Sequence, residues 1–312
     1  MNLVTNNEIN ISPAKWKRLN AKYSQDEIKQ MISDAIGSND LPMPMRTLTL
    51  SDAVEDFKKL EDLDTSSILL EEEWFTRYDY DDKYFLTNNL IKCCNVGNKT
   101  SDFYQQENRW KCNSITAPSA YRSWSEEKFR LTLLNALWSL KFEEITSKTL
   151  RTAISMRKYI ASQFRPSAAK AVYDLFEAKN ILDFSAGWGD RLCGFLASDA
   201  VSYTGVDPNK DAVAKYCDML DYFYTDRDVT IFNECAEDVD YGDKMFDLVF
   251  TSPPYFDLER YTTESNQSWK RYKKLDAWLE GFLFKSIEKA WNHLEKDGHL
   301  IINISDVYCH HT

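Results

Sequence analysis

Ser252-Pro253-Pro254-Tyr255, placed after the apolar run Phe246-Asp247-Leu248-Val249-Phe250 and Thr251, combine a hydroxyl, two rigid rings and an aromatic face in one short turn. Proline fixes φ and removes a backbone donor, so two in succession stiffen the turn and leave carbonyls such as that of Pro253 free to accept hydrogen bonds. Such a turn can grip a planar group that carries an NH2. The Ser252 hydroxyl and the Pro253 carbonyl take the two N–H hydrogens while Tyr255 stacks on the ring, as in sites that hold an extruded nucleobase. The plainer reading is a strand ending in a proline-stiffened loop with a buried tyrosine. What lies upstream favours the first.

Asp183-Phe184-Ser185-Ala186-Gly187-Trp188-Gly189 ends one apolar run and opens a helical one. Glycines there let backbone pass close to a ligand, and helix N–H groups face it. The next apolar run, Val201 to Val206, ends at Asp207-Pro208, where an acid can bind a ribose diol as it does in nucleotide-binding α/β folds. The following run ends in Asn233-Glu234-Cys235-Ala236-Glu237, which places Glu234 and Cys235 to border an adenine. Three consecutive strand tips therefore suit one adenosine-containing ligand.

The elements that must position these residues follow from periodicity. Helix from Ser167 to Phe176, strand Asn180 to Asp183, helix from Asp190 and strand Val201 to Val206 alternate, and Pro208 falls in the first turn of the next helix. Strands Val229 to Phe232, Phe246 to Phe250 and His299 to Ile304 follow, the last two separated by a helix from about Leu275 to Leu294. This alternation predicts a Rossmann-like α/β fold, a doubly wound parallel sheet with ligands at the carboxyl ends of its strands. The first half reads as mainly helical. Ser24-Gln25-Asp26-Glu27 is a capping box opening a helix to about Ile36, stopped by Gly37-Ser38-Asn39-Asp40, and further helices are expected over Ser51 to Leu63, Ser125 to Phe142 and Ser147 to Gln163. Glu71 to Phe85 is dense in aromatics, among them Trp74, Phe75, Tyr78, Tyr80, Tyr84 and Phe85, whose plainest role is core. The expected division is a helical region over 1–140, a candidate for substrate recognition, and a ligand-binding domain over 141–312.

With 312 residues, 43% hydrophobic and 28% charged, the chain has the composition of a globular protein, and no apolar run approaches the roughly 18 residues of a membrane span. A cytoplasmic location is the expectation, since the N-terminus lacks a basic-then-apolar signal. The seven cysteines are odd in number and never spaced C-x-x-C, so reduced thiols and no metal are expected, His310-His311 beside Cys309 being the one metal-capable cluster and lying at the chain end. A net charge of −11 argues against coating nucleic acid by bulk electrostatics. Local charge differs: between Ile145 and Tyr173 no acidic residue interrupts Lys148, Arg151, Arg157, Lys158, Arg165 and Lys170, and Lys270, Arg271, Lys273 and Lys274 form a second cluster. On a helix, Lys148, Arg151 and Lys158 share one stripe opposite Met156 and Ile160. A solvated face is the commoner meaning of such runs.

On these motifs the chain resembles the class I S-adenosylmethionine-dependent methyltransferases, specifically the amino-methyltransferases of DNA. The resemblance spans about Ser167 to Ser305, including the turn Lys296-Asp297-Gly298 before the fifth strand, with the gamma-type order of cofactor motif before catalytic motif. It implies S-adenosyl-L-methionine as cofactor, held by Asp183, Ser185, Gly187 and Gly189, by Asp207 and Pro208, and by Glu234 and Cys235. It implies that Ser252, Pro253, Pro254 and Tyr255 match the (D/N/S)-P-P-(Y/F) catalytic signature acting on cytosine N4 or adenine N6. Arg260, Lys270 and Arg271, with Arg157 and Lys158, are the candidates for contacts to DNA. The family usually continues past the fifth strand, so an incomplete sheet edge, completed by a protein partner or an oligomer, is a further expectation. Rival readings are methyl transfer to RNA, to a nucleotide or to a protein glutamine amide, and a catalytically silent module that binds a partner.

Overall fold

A computed structural model describes residues 2–71, 89–223 and 225–304. The chain divides into two compact units, one of residues 1–47, 107–162 and 257–262, the other of 48–106, 163–256 and 263–312. This partition differs from a single cut at residue 140. Segment 48–106 belongs with the sheet unit because its groups are tied there: Lys170 Nζ donates to the carbonyls of Leu60, Glu61 and Leu63 at 3.0, 2.8 and 3.0 Å, closing the C-terminus of helix Leu50–Glu61. Gln105 Nε2 likewise donates to the Ala212 carbonyl at 2.9 Å.

The larger unit is built on five parallel strands, β1 (Asn180–Asp183), β2 (Ser202–Val206), β3 (Asp228–Phe232), β4 (Phe246–Thr251) and β5 (Leu294–Ile302), in the spatial order β5-β4-β1-β2-β3. The chain starts at the centre, runs to one edge and returns across β1 to build the other. That reversal beside β1 is the switch point at which α/β sheets leave a crevice. Helices cover both faces. Phe250 of β4 meets Tyr173 of helix Pro166–Leu175 edge to face at 6.0 Å, whereas Val249, its neighbour, joins the cluster of Trp278, Phe282 and Leu283. Successive strand residues point to opposite faces, so this is the packing expected of a two-sided core. Helix Asp190–Leu196 lies close on Pro166–Leu175 at Gly194, where an added Cβ would come within 2.7 Å of Ala169 Cβ.

Three boundaries differ from the sequence expectation. Asn209 takes the N-cap of helix Lys210–Tyr222, accepting from the N–H groups of Asp211 and Ala212, so Pro208 lies before the helix rather than in its first turn. The helix beginning at Ser147 ends at Arg157, because Tyr159 bridges to Ser119 and pulls Lys158 into extended backbone. The Lys148–Arg151–Lys158 stripe therefore loses its last member. The turn Lys296-Asp297-Gly298 is a bulge inside β5, with Asp297 at φ 66° and the register against β4 shifting between Leu294 and His299. The helix over Leu275–Asn292 contains a π-type segment at Leu279–Phe284.

The smaller unit is mainly helical. Its core gathers Ile9, Trp16, Ile32, Leu134, Leu137 and Ile154. The capping box of Ser24 and Glu27 forms, opening helix Gln25–Ser38. The expected helix from Ser125 to Phe142 is broken into Glu127–Leu134 and Ala136–Ser139. Buried Arg130 donates to Ser33 Oγ at 2.9 Å and the Trp124 carbonyl at 2.7 Å. Residues 72–88, with the aromatic-rich stretch, and 305–312, with Cys309-His310-His311, lie outside the described residues.

Candidate active site at the strand tips

Asp183 at the end of β1 is fully buried and accepts five hydrogen bonds. Arg191 Nε and Nη2 donate at 2.7 and 3.2 Å, the Tyr203 hydroxyl at 2.8 Å, Thr251 Oγ1 at 3.0 Å and the Ser185 N–H at 3.3 Å. Burial opposes the charge of Arg191, but the carboxylate beside it outweighs this and raises its pKa; burial and Asp183 also push Tyr203 well up. Four of the donors come from β2, β4 and helix Asp190–Leu196 and the fifth from the turn itself, so one carboxylate joins the strand carrying the glycine-rich turn to the strand that leads to Ser252. Asp183 acts on the site by holding its parts together, because its lone pairs are engaged by the protein.

The glycine-rich turn is shaped by two left-handed residues, Gly187 at φ 63° and Gly189 at φ 74°. A side chain at Gly189 would press on the Tyr216 ring at 3.1 Å, whereas an added Cβ at Gly187 meets nothing nearer than 3.8 Å. A Cβ at Gly187 would make only ordinary contact with the Ser185 carbonyl and Arg191, so the demand for glycine there is its left-handed φ. The Gly187 N–H donates to Asp207 Oδ2 at 2.8 Å and the Asn209 N–H to Oδ1 at 2.9 Å, and the Tyr216 hydroxyl donates to the Gly187 carbonyl. Each Asp207 oxygen keeps a lone pair. Surrounding protein still outweighs the two backbone donors and pushes the Asp207 pKa up to about 7, although the residue retains some accessible surface.

At the tip of β3, Glu234 is exposed and Cys235 half-buried, its thiol donating to the Asn266 carbonyl at 3.3 Å. Burial raises the thiol pKa. Asn266 Nδ2 donates to the Pro208 carbonyl at 2.8 Å, so this one residue, through its side chain and its main-chain carbonyl, bridges the tips of β2 and β3, and Lys210 pairs with Glu264 at 2.9 Å beside it. Asn266, Tyr216 and Arg191 are site residues that motif reading misses. None carries a local signature; Tyr216 is one of the buried positions Ala212, Tyr216 and Met219 that read as an ordinary helix face.

Ser252 follows β4 directly. Pro253 is buried and Tyr255 half-buried, while the next residue, Phe256, takes φ 48° and packs edge to face on Trp278 at 5.9 Å. The aromatic anchored in the core is thus Phe256, and Tyr255 keeps exposed surface, which corrects the buried tyrosine of the plainer reading.

The basic candidates divide. Arg271 pairs with Glu237 at 2.6 Å and Asp238 at 2.7 Å, and these partners raise its pKa against the effect of burial. It also stands against Cys235, Glu237 and Asp238, the metal-capable trio among the described residues. Lys270 Nζ donates to the Thr263 carbonyl and lies over the Trp269 ring at 5.4 Å. In the helical unit, Arg157 is exposed and donates to Ser139 Oγ at 3.3 Å, and Lys158 is half-buried with its pKa lowered by desolvation. Arg260 pairs with Asp257 at 3.9 Å, on a strand, Glu259–Arg260, that joins Asn113–Ser114.

No family model matches the chain, and no curated protein does. Among solved structures it is similar to DesVI from Streptomyces venezuelae, at 20% identity and TM-score 0.30, covering 44% of this chain and 49% of that one. It is also similar to a putative caffeoyl-CoA O-methyltransferase from Staphylococcus aureus, at 16% identity and TM-score 0.32, covering 55% and 71%. The chain thus spans about half the length of DesVI. Strand order and site geometry, rather than these likenesses, carry the functional reading. Among the described residues no helix is long and apolar enough to cross a membrane.

Proposed function

We propose that the sheet unit transfers a methyl group from S-adenosylmethionine to the exocyclic amino nitrogen of a DNA base. The observation that carries the reading is the Asp183 network, which ties the glycine-rich turn and the Asp207 carboxylate to the strand that leads to Ser252-Pro253-Pro254-Tyr255. The residues fit the cofactor. Gly187 and Gly189 give the turn its left-handed backbone, Asp207 offers two lone pairs to a ribose diol, and the turn at Glu234 and Cys235 borders the next position along the sheet edge. When bound, S-adenosylmethionine supplies a methyl group on a positively charged sulfur.

The protein's task is then geometric. Conjugation into the ring makes an exocyclic amino nitrogen a poor nucleophile. Ser252 Oγ and the Pro253 carbonyl would accept its hydrogens, fix the nitrogen in place and favour a more tetrahedral geometry at it. The second N–H proton leaves to solvent. Tyr255, half-buried, stacks on the base.

A second reading is a glutamine side chain in a protein, whose planar NH2 suits the same turn. The pairing of Arg271 with Glu237 and Asp238 removes one cation from the phosphate-binding candidates, and the net charge is −11. Incubation with labelled S-adenosylmethionine and DNA, RNA or protein, followed by digestion, separates the readings. Label on cytosine N4 or adenine N6 of DNA is expected. Label on glutamine alone overturns the DNA substrate, and label in no polymer, with Ser252→Ala behaving as wild type, overturns the enzyme.

A further inference from the structure

Ser252 is held by a partner from the neighbouring strand tip. Asn303, just past β5, donates from Nδ2 to Ser252 Oγ at 3.0 Å, and Ser252 Oγ donates to the Asn303 carbonyl at 3.4 Å. The Asn303 main-chain N–H donates to the Thr251 carbonyl at 2.9 Å, extending the pairing of β4 and β5 and fixing where the amide stands. A hydroxyl has one hydrogen and two lone pairs. Asn303 engages the hydrogen and one lone pair, which leaves one lone pair.

We infer that Asn303 is a positioning residue that makes Ser252 an obligate hydrogen-bond acceptor, so that the turn selects a substrate group bearing N–H hydrogens over a carbonyl oxygen in the same place. The inference rests on the amino-transfer reading and sharpens its selectivity. A carbonyl oxygen entering the turn meets the Ser252 lone pair and the Pro253 carbonyl, acceptors on both sides, and a site built for one hydrogen-bond polarity rejects the opposite one strongly. Without the Asn303 amide, only the long bond to the main-chain carbonyl holds the Ser252 hydrogen, and the hydroxyl can turn to donate as well as accept.

Two variants separate this from a structural role. In Asn303→Ala the main-chain carbonyl at 3.4 Å remains, but the shorter amide bond that pins the hydroxyl is lost and the O–H can turn. In Asn303→Asp the carboxylate has no hydrogen to give but accepts the Ser252 O–H, so Ser252 remains an acceptor. The probes are dCMP against dUMP and dAMP against dIMP, bound in calorimetry with S-adenosylhomocysteine present. The wild type is expected to prefer the amino member of a pair, Asn303→Ala to narrow that preference about tenfold, the effect of roughly one hydrogen bond, and Asn303→Asp to retain it. An unchanged preference in Asn303→Ala, or an equal loss in both variants, overturns the inference. Labelled methyl transfer by the wild type is measured alongside. Transfer without any amino preference overturns the inference alone, and no transfer to any polymer overturns the reading beneath it.

Discussion

At the tips of β1 and β2 almost every polar group has a buried protein partner, whereas at the tips of β4 and β5 the groups are half open and lightly tied. Among the described residues Asp183 takes five donors and Asp207 two, but the Ser252 side chain hydrogen-bonds to Asn303 alone, and Tyr255 and Pro254 keep exposed surface. Buried charge tolerates no loose geometry, since an unpaired carboxylate in low dielectric is costly. The end proposed to hold the cofactor is therefore built before any ligand arrives, and the end proposed to take an amino group retains open acceptors.

The contrast can be broken at its firm end first. Arg191→Met leaves Asp183 buried without its cation, and a loss of about 3–5 kcal/mol in unfolding free energy is expected from denaturant titration; a loss below about 1 kcal/mol would show that the network does not hold the strand tips. At the open end, Ser252→Ala is expected to lower methyl transfer by roughly 10²–10³-fold, on the scale of removing one preorganised group, while unfolding and cofactor binding stay near wild type. Stability and catalysis thus fail separately.

Asp207 sharpens the comparison through pH. Burial raises its folded pKa to about 7, above the ordinary carboxylate value, so the folded state favours the protonated form: its contribution to stability is present at low pH, is lost as pH rises toward 7, and is flat beyond. Cofactor binding has the opposite slope, since a ribose diol donates to the ionised form. Affinity measured by calorimetry is expected to weaken as pH falls below about 7, and Asp207→Asn to bind roughly tenfold or more weakly with a flattened pH profile. Steady affinity from pH 6 to 8 in the wild type would contradict the assignment. The smallest effect expected is on salt dependence. For DNA binding, Lys270→Ala should reduce the slope of log affinity against log salt by about one, whereas Arg271→Ala, its charge already paired with Glu237 and Asp238, should leave the slope near that of the wild type.

Much of this was legible in the residues. The alternation of apolar runs and helices from Pro166 onward places the strands to within a few residues, and the capping box at Ser24 and Glu27 forms as written, because these signals act over a single turn or strand. The basic runs read less well. Lys148 to Lys170 forms one stretch of sequence, yet Lys158 leaves the helix to follow a bridge between Tyr159 and Ser119, and Lys170 closes a helix whose last carbonyls lie 109 and 110 residues earlier. Charge along the chain says nothing about whether a partner from another segment will neutralise it.

The sequence by itself determined the parallel sheet, the positive-φ glycines of the turn after β1 and the stiff Pro-Pro turn after β4, since period, proline and glycine act through local sterics. Tertiary structure alone decided that Asp183 binds Arg191, Tyr203 and Thr251, that Asn266 spans two strand tips, and that Asn303 meets Ser252. The Thr251 and Asn303 contacts exist because β4 lies between β1 and β5 in the sheet, and the Tyr203 contact because β2 flanks β1 on the other side. That order depends on which faces bury each other, a property of the whole chain rather than of any one motif.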